Sequence, residues 1–172
     1  VTTPNTVIQC TAEVTITDPH PAQPACMPAV INIPNGGVAT VTPADIFAGG
    51  FDNCGIINLE SVSPDMFLCA QLGVHTVTLN VNDGHGNQSS CDAQVTIVDT
   101  TPPTVTCKNA NVILDGNGMG SITPADVVAS AMDNCGIMMT VLSQYDFDCM
   151  NVGPNQVTVT VTDHSGLMDA CN

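Results

Sequence analysis

Three features of the sequence predict an all-β fold of tandem sandwich units: an internal repeat, a valine–threonine alternation, and a framework of nine cysteines. The repeat is clearest in the spacing. Cys10, Cys26 and Cys54 recur 81 residues later as Cys91, Cys107 and Cys135. Cys69 and Cys91 recur 80 residues later as Cys149 and Cys171, so one residue is deleted between Cys135 and Cys149. Between the cysteines, VTPADIFAGGFDNCGI (Val41–Ile56) matches ITPADVVASAMDNCGI (Ile122–Ile137). Self-similarity at a fixed period marks a chain of stacked supersecondary units.

Taken in chain order, residues 1–18 are expected to be the last strand of a preceding repeat, because Glu13–Thr17 (EVTIT) matches Gln94–Val98 (QVTIV). Asp18-Pro19-His20-Pro21 then makes a short, stiff joint, since proline fixes φ and restrains the residue before it. The first repeat spans 19–100. Thr42-Pro43-Ala44-Asp45 has an N-cap residue, proline at the first helical position and then an acid, which suits one helical turn. Val77, Leu79 and Val81 alternate with polar residues, the period-2 pattern of a half-buried strand, and a shorter strand follows at Val95–Val98. Asp99-Thr100-Thr101-Pro102-Pro103 forms the second joint. The second repeat, 101–172, offers a strand at Val112–Leu114, a turn at Asp115–Gly118, the Thr123 counterpart of the helical turn, and alternating Val157, Val159 and Val161. Its last strand is missing, and the chain reads as an excerpt of a longer mature polypeptide. Several short strands with regular turns in each repeat indicate the immunoglobulin class of sandwich.

Composition narrows the function. The chain has 172 residues, one Lys, no Arg and sixteen acids, a formal net charge of −15. With Lys108 as the only permanent side-chain cation, phosphate neutralisation cannot drive nucleic-acid binding, and a polybasic membrane anchor is excluded. Nine Cys without a C-x-x-C pair point to an oxidising compartment rather than to zinc. No signal peptide, spanning segment or sorting tail is visible. The four His are scattered, and no G-x-S-x-G or phosphate-cradling loop occurs, so catalysis is not expected.

Disulfide pairing follows from reach. Cys10 to Cys26 and Cys91 to Cys107 each run along one continuing direction, and sixteen extended residues part their ends by about 50 Å. A bridge needs Cα atoms within about 7 Å. The first and last strands of one sandwich run parallel and adjacent, so Cys26 should pair with Cys91 and Cys107 with Cys171. Cys54 with Cys69 and Cys135 with Cys149 are then expected as hairpin-type closures, leaving Cys10 for a preceding repeat.

The pattern D-x-x-G-N…C-x-A-x-V-T-x-x-D-x-x-P-P-x-x-x-C with a later D-N-C-G resembles the hyalin repeat, especially the threonine-rich repeats of large bacterial surface and gliding-motility adhesins. The matching residues are Asp83, Asn87, Cys91, Asp99, Pro102, Pro103, Cys107 and Asp133–Gly136. Thr2 departs from it at the Asp83 position and Leu167 at the Asn87 position. The resemblance implies immunoglobulin-like modules used in adhesion or as stalks, without catalysis. The bacterial comparison also implies an O-glycan acceptor at Thr100.

Tracing the strands sends the Asp133-Asn134-Cys135-Gly136 loop and the Asp163 loop to the end facing the preceding repeat, where Asp99 arrives. Asp18, Asp52, Asn53 and Asp83 form the equivalent set in the first repeat. Ca²⁺ takes six to eight hard oxygens from flexible loops, so both sets are candidate calcium sites. The alternative is that these residues only build turns. His85 is expected to be a solvated loop residue. The expected role is a stiff stalk in an extracellular, cell-surface adhesin or filament, with neighbouring repeats or copies, surface glycans or other cells as partners. Two other readings stand beside it. One is a filament subunit that donates residues 11–17 as a strand to its neighbour. The other is a carbohydrate-binding module, which the absence of Trp and the single Tyr145 disfavour.

Overall fold

The structure, a computed structural model, describes residues 9–172. The first part of the expected strand at 1–18, including Thr2, lies outside the described residues.

The first half of the chain folds as β1 (Gln23–Cys26), β2 (Ala29–Asn32), β3 (Val38–Thr40), α1 (Pro43–Ile46), β4 (Phe47–Phe51), β5 (Asn58–Ser63), β6 (Met66–Leu68), β7 (Gly73–Asn82) and β8 (Gln88–Val98). One sheet has the order β2-β8-β7-β5, and the pairs β1-β4 and β3-β6 form against it. The first strand changes partners along its length. β1 pairs with β4, whereas β2 runs parallel to the last strand, with Ile31 opposite Ile97. That switch is characteristic of immunoglobulin-like sandwiches. Val77, Leu79 and Val81 of β7 and Ala93, Val95 and Ile97 of β8 are buried against Ile33, Ile46 and Phe67. Threonine and asparagine fill the outward positions, so the alternation in sequence becomes the two faces of one sheet.

α1 forms because Thr42 and Asp45 close on each other. The Thr42 amide and hydroxyl both donate to Asp45 Oδ2 at 2.7 Å. Thr123 and Asp126 repeat the device at 2.8 Å, and the Thr123 amide and then its hydroxyl hold the Asp126 carboxyl below its ordinary value.

The second half continues with β9 (Thr104–Cys107), β10 (Met119–Ser121), α2 (Pro124–Val127), β11 (Val128–Met132), β12 (Ile137–Leu142), β13 (Asp146–Asp148), β14 (Val159–Asp163) and β15 (Met168–Cys171). It has its own smaller core around Val105, Ile122, Leu142, Phe147, Val159 and Val161. The strand expected at Val112–Leu114 is not formed. Its first-half counterpart, β2, is held by Val95–Val98, and the sequence supplies no counterpart of those residues in the second half. Glu13–Thr17 likewise carries no strand, and Val14 and Ile16 are exposed. A strand needs its ladder partner, whatever its alternation.

Cys26 is bonded to Cys91 and Cys107 to Cys171, with Cα atoms 5.8 and 5.7 Å apart. The expected Cys54–Cys69 and Cys135–Cys149 closures do not form. Cys69 is bonded instead to Cys135, Cα to Cα 5.3 Å, while Cys54 and Cys149 are free thiols, as is Cys10. The reason is length. Six-residue strands, β5 and β12, separate the two cysteines of each expected pair and carry the chain about 20 Å from one end of its sheet to the other. Each observed bridge closes a loop of about 65 residues, for which the chain-entropy model gives roughly 4 kcal/mol.

Candidate metal centres

Three elements meet where the second half abuts the first: the end of β8, the loop between β11 and β12, and the loop between β14 and β15. Asp99, Asp133 and Asp163 sit on these elements, and one carboxylate oxygen from each lies within 4.8 Å of the others. Asp18, Asp52 and Asp83 form the equivalent trio in the first half.

The geometry of each carboxylate has a common plan. One oxygen builds the local turn. Asp133 Oδ2 accepts from the Cys135 amide at 2.7 Å, and Asp163 Oδ1 accepts from the Ser165 and Leu167 amides at 2.8 Å. Asp99 Oδ1 accepts from the Thr101 amide and from the Asn134 side chain, each at 3.0 Å. The other oxygen of each residue, Asp99 Oδ2, Asp133 Oδ1 and Asp163 Oδ2, is buried without a hydrogen-bond partner. Asn134 Oδ1 is in the same state, while its amide nitrogen also donates to the Ile33 carbonyl at 3.1 Å. Three negative groups out of bulk water, close together and short of donors, repel one another and lose hydration.

The first joint repeats the plan, and differs at Asp83. Asp52 Oδ2 accepts from the Cys54 amide at 2.8 Å, and Asp18 Oδ1 accepts from the Asn53 side chain at 2.9 Å. Asp18 Oδ2 and Asp52 Oδ1 are buried and unpartnered. Asp83 Oδ2, however, accepts from the Asn87 side chain, which also donates to the Asp18 carbonyl at 2.9 Å. Leu167 stands at the Asn87 position in the second half, and its side chain cannot donate, which leaves Asp163 Oδ2 bare.

These contacts set the charges. Donation from Asn53, then Cys54 and the His20 amide, holds the Asp18 carboxyl down to about 2. Burial pushes Asp83 up, but the Asn87 side chain and the His85 and Asn87 amides outweigh it and leave the carboxyl below its ordinary value. The bond to Asp18, and then burial, push the Cys54 thiol up.

All six aspartates singled out in the sequence are thus brought together, three at each joint. Asn53 and Asn134 act as braces through their amide nitrogens, and only Asn134 keeps a buried oxygen free. Asn87 belongs to the site as well, and its place in the D-x-x-G-N pattern was the available signal. His85 is exposed, near Asp18 and Cys54. Thr100 is exposed and donates its hydroxyl to Asn32 Oδ1 at 2.9 Å. Tyr145, the one candidate sugar platform, uses its hydroxyl to accept from the Leu142 amide at 3.1 Å.

The donor set suits a hard divalent cation. Carboxylate oxygens, with an amide oxygen at the second joint and water to complete the shell, are what Ca²⁺ takes. A softer trio, Asp18, Cys54 and His85, exists at the first joint. Its cysteine counterpart at the second joint, Cys135, is in a disulfide, so only the oxygen trio is common to both.

Residues 98–172 match the family model of the HYR domain, which shows the likeness to the hyalin repeat over those residues. No curated protein matches the chain. Among solved structures, the chain is similar to one of protocadherin gamma B7 extracellular cadherin domains 1–4, with 14% identity over 87% of this chain and a TM-score of 0.30. The alignment takes in about half, 48%, of that chain. A superposition this loose supports no further conclusion.

Proposed function

We propose that the chain is a stretch of non-catalytic stalk from an extracellular, cell-surface adhesin or filament, and that calcium stiffens it at each joint between repeats. The proposed units are 19–100 and 101–172, with residues 9–18 supplying the end of a preceding one. The observation that carries the reading is the convergence of three aspartate carboxylates at each joint, where Asp18, Asp52, Asp99, Asp133 and Asp163 each keep a buried oxygen without a hydrogen-bond partner. A cation there removes the repulsion and ties the end of one unit to two loops of the next. The HYR match supports an extracellular, adhesion-type module. Three disulfides fit the same compartment, and among the described residues no helix is long and apolar enough to cross a membrane.

Thermal unfolding of the oxidised chain, in calcium and then in excess chelator, tests the proposal. The midpoint should rise with calcium and fall back on chelation. Asp133→Asn should lose much of that response yet match or exceed the wild-type midpoint in chelator, because its amide can donate to the remaining carboxylates. An identical midpoint in calcium and chelator would sink the cation and leave disulfides and prolines as the only stiffeners.

A second reading is favoured by one observation. Val112, Leu114, Val127 and Val157 line an open cleft between the counterparts of β2 and of the start of β7, the place that the end of β8 fills in the first half. Residues 11–17 of another copy have the matching sequence, and their Val14 and Ile16 are exposed. Strand donation would build a filament. Cys10 and Cys171 would then compete for Cys107, which favours the stalk. Concentration-dependent filaments formed by the oxidised chain would reverse that preference.

A further inference from the structure

Cys69 of the first repeat is bonded to Cys135 of the second, 66 residues further along. In the repeat register Cys54 stands where Cys135 does, and Cys149 stands where Cys69 does. Both are exposed free thiols, yet both are already seated as their bonded counterparts are. The Cys54 amide donates to Asp52 Oδ2 at 2.8 Å, as the Cys135 amide donates to Asp133 Oδ2 at 2.7 Å. The Cys149 sulfur lies 3.9 Å from the Gly118 carbonyl, as the Cys69 sulfur lies 3.8 Å from that of Gly37. Gly37 and Gly118 share a positive φ, 71° and 76°, so the two seats are built on the same left-handed turn.

Head and tail therefore present the two faces of a joint that this chain closes once internally. The Cys54 face borders Ile16–His20, and β12 separates the Cys149 face from the opposite end of its sheet. We propose that Cys149 forms a disulfide with the Cys54-position cysteine of a following unit of the same build, so that successive repeats are bonded in series. The register supports it. From Cys149 to Cys171 is 22 residues and from Cys10 to Cys54 is 44, so a splice that follows Cys171 directly with Thr11 of a second copy sets the two thiols 66 apart, the spacing of Cys69 and Cys135.

The chemistry is thiol–disulfide exchange with a small disulfide oxidant, RSSR. One protein thiolate attacks RSSR and expels RS⁻, and the second protein thiolate then displaces the other RS⁻. The two thiols lose two protons and two electrons, and RSSR leaves as two RSH. Because the contact is head to tail, it does not close on itself, and it extends as a linear series. The inference rests on the stalk reading for the identity of its neighbour but not on the cation, so it is tested with chelator present.

In a Cys10→Ser background, Cys54→Ser leaves only the tail thiol and Cys149→Ser only the head thiol. The two variants are mixed in a glutathione redox buffer and the linked peptides mapped. In parallel the spliced tandem is oxidised and its thiols counted with maleimide. A dimer linked Cys149 to Cys54, several-fold above statistical mixing, supports joining between copies. Closure in the spliced tandem alone supports the same bond between successive repeats of one chain. Statistical mixing together with full alkylation of both cysteines in the tandem would overturn the proposal.

Discussion

Asp99, Asp133 and Asp163 each treat their two oxygens differently, one fixing a turn and the other buried without a hydrogen-bond partner. One difference between the two joints is Asn87 against Leu167. Since Asn87 already donates to Asp83 Oδ2, the first joint should hold calcium more weakly than the second. Leu167→Asn should therefore weaken the second site several-fold in a calcium titration, and an unchanged affinity would remove Asn87 from the account. Asp18 gives a pH signature. Its folded carboxyl lies at about 2 against an ordinary 3.8, so the folded state binds its proton less readily than the unfolded chain does. The resulting stability is complete above about pH 4 and is lost as the pH falls toward 2. In chelator, Asn53→Ala, which removes the leading donor, should flatten the fall in urea midpoint over that window. The aspartates were legible in the sequence because turn-forming acids recur at fixed places in each repeat. The bracing by asparagine nitrogens was not, since an amide offers both a donor and an acceptor and only the fold chooses between them.

At the scale of elements, the joint is held covalently by the Cys69–Cys135 bridge. Replacing both cysteines by serine should cost up to roughly 4 kcal/mol in urea unfolding, the chain-entropy value for a loop of that length. The loss should exceed that of removing either cysteine-free brace alone, such as Asn134→Ala. A double variant as stable as wild type would mean that the unfolded chain is already restrained there. The alternation of β7 and β8 was readable because one face is buried and the other solvated. The Cys69–Cys135 pairing was within reach too. Once the Asp133–Gly136 loop is placed at the end facing the preceding repeat, β12 has already carried Cys149 out of range of Cys135. Val112–Leu114 failed as a strand for the opposite reason: its sequence is suitable, and no strand among the described residues pairs with it.

Across the whole molecule, a net charge of −15 sets a single Lys against sixteen acids. Small cores poor in aromatics add little reserve, so cross-links and bound cations would carry a large share of the rigidity. The most direct test is a calorimetric titration of calcium into the oxidised, chelator-stripped chain. Two ions per chain should bind, the tighter one disappearing in Asp133→Asn and the weaker one in Asp52→Asn. No binding, or a stoichiometry that neither variant alters, would contradict the claim that the joints are built around a cation.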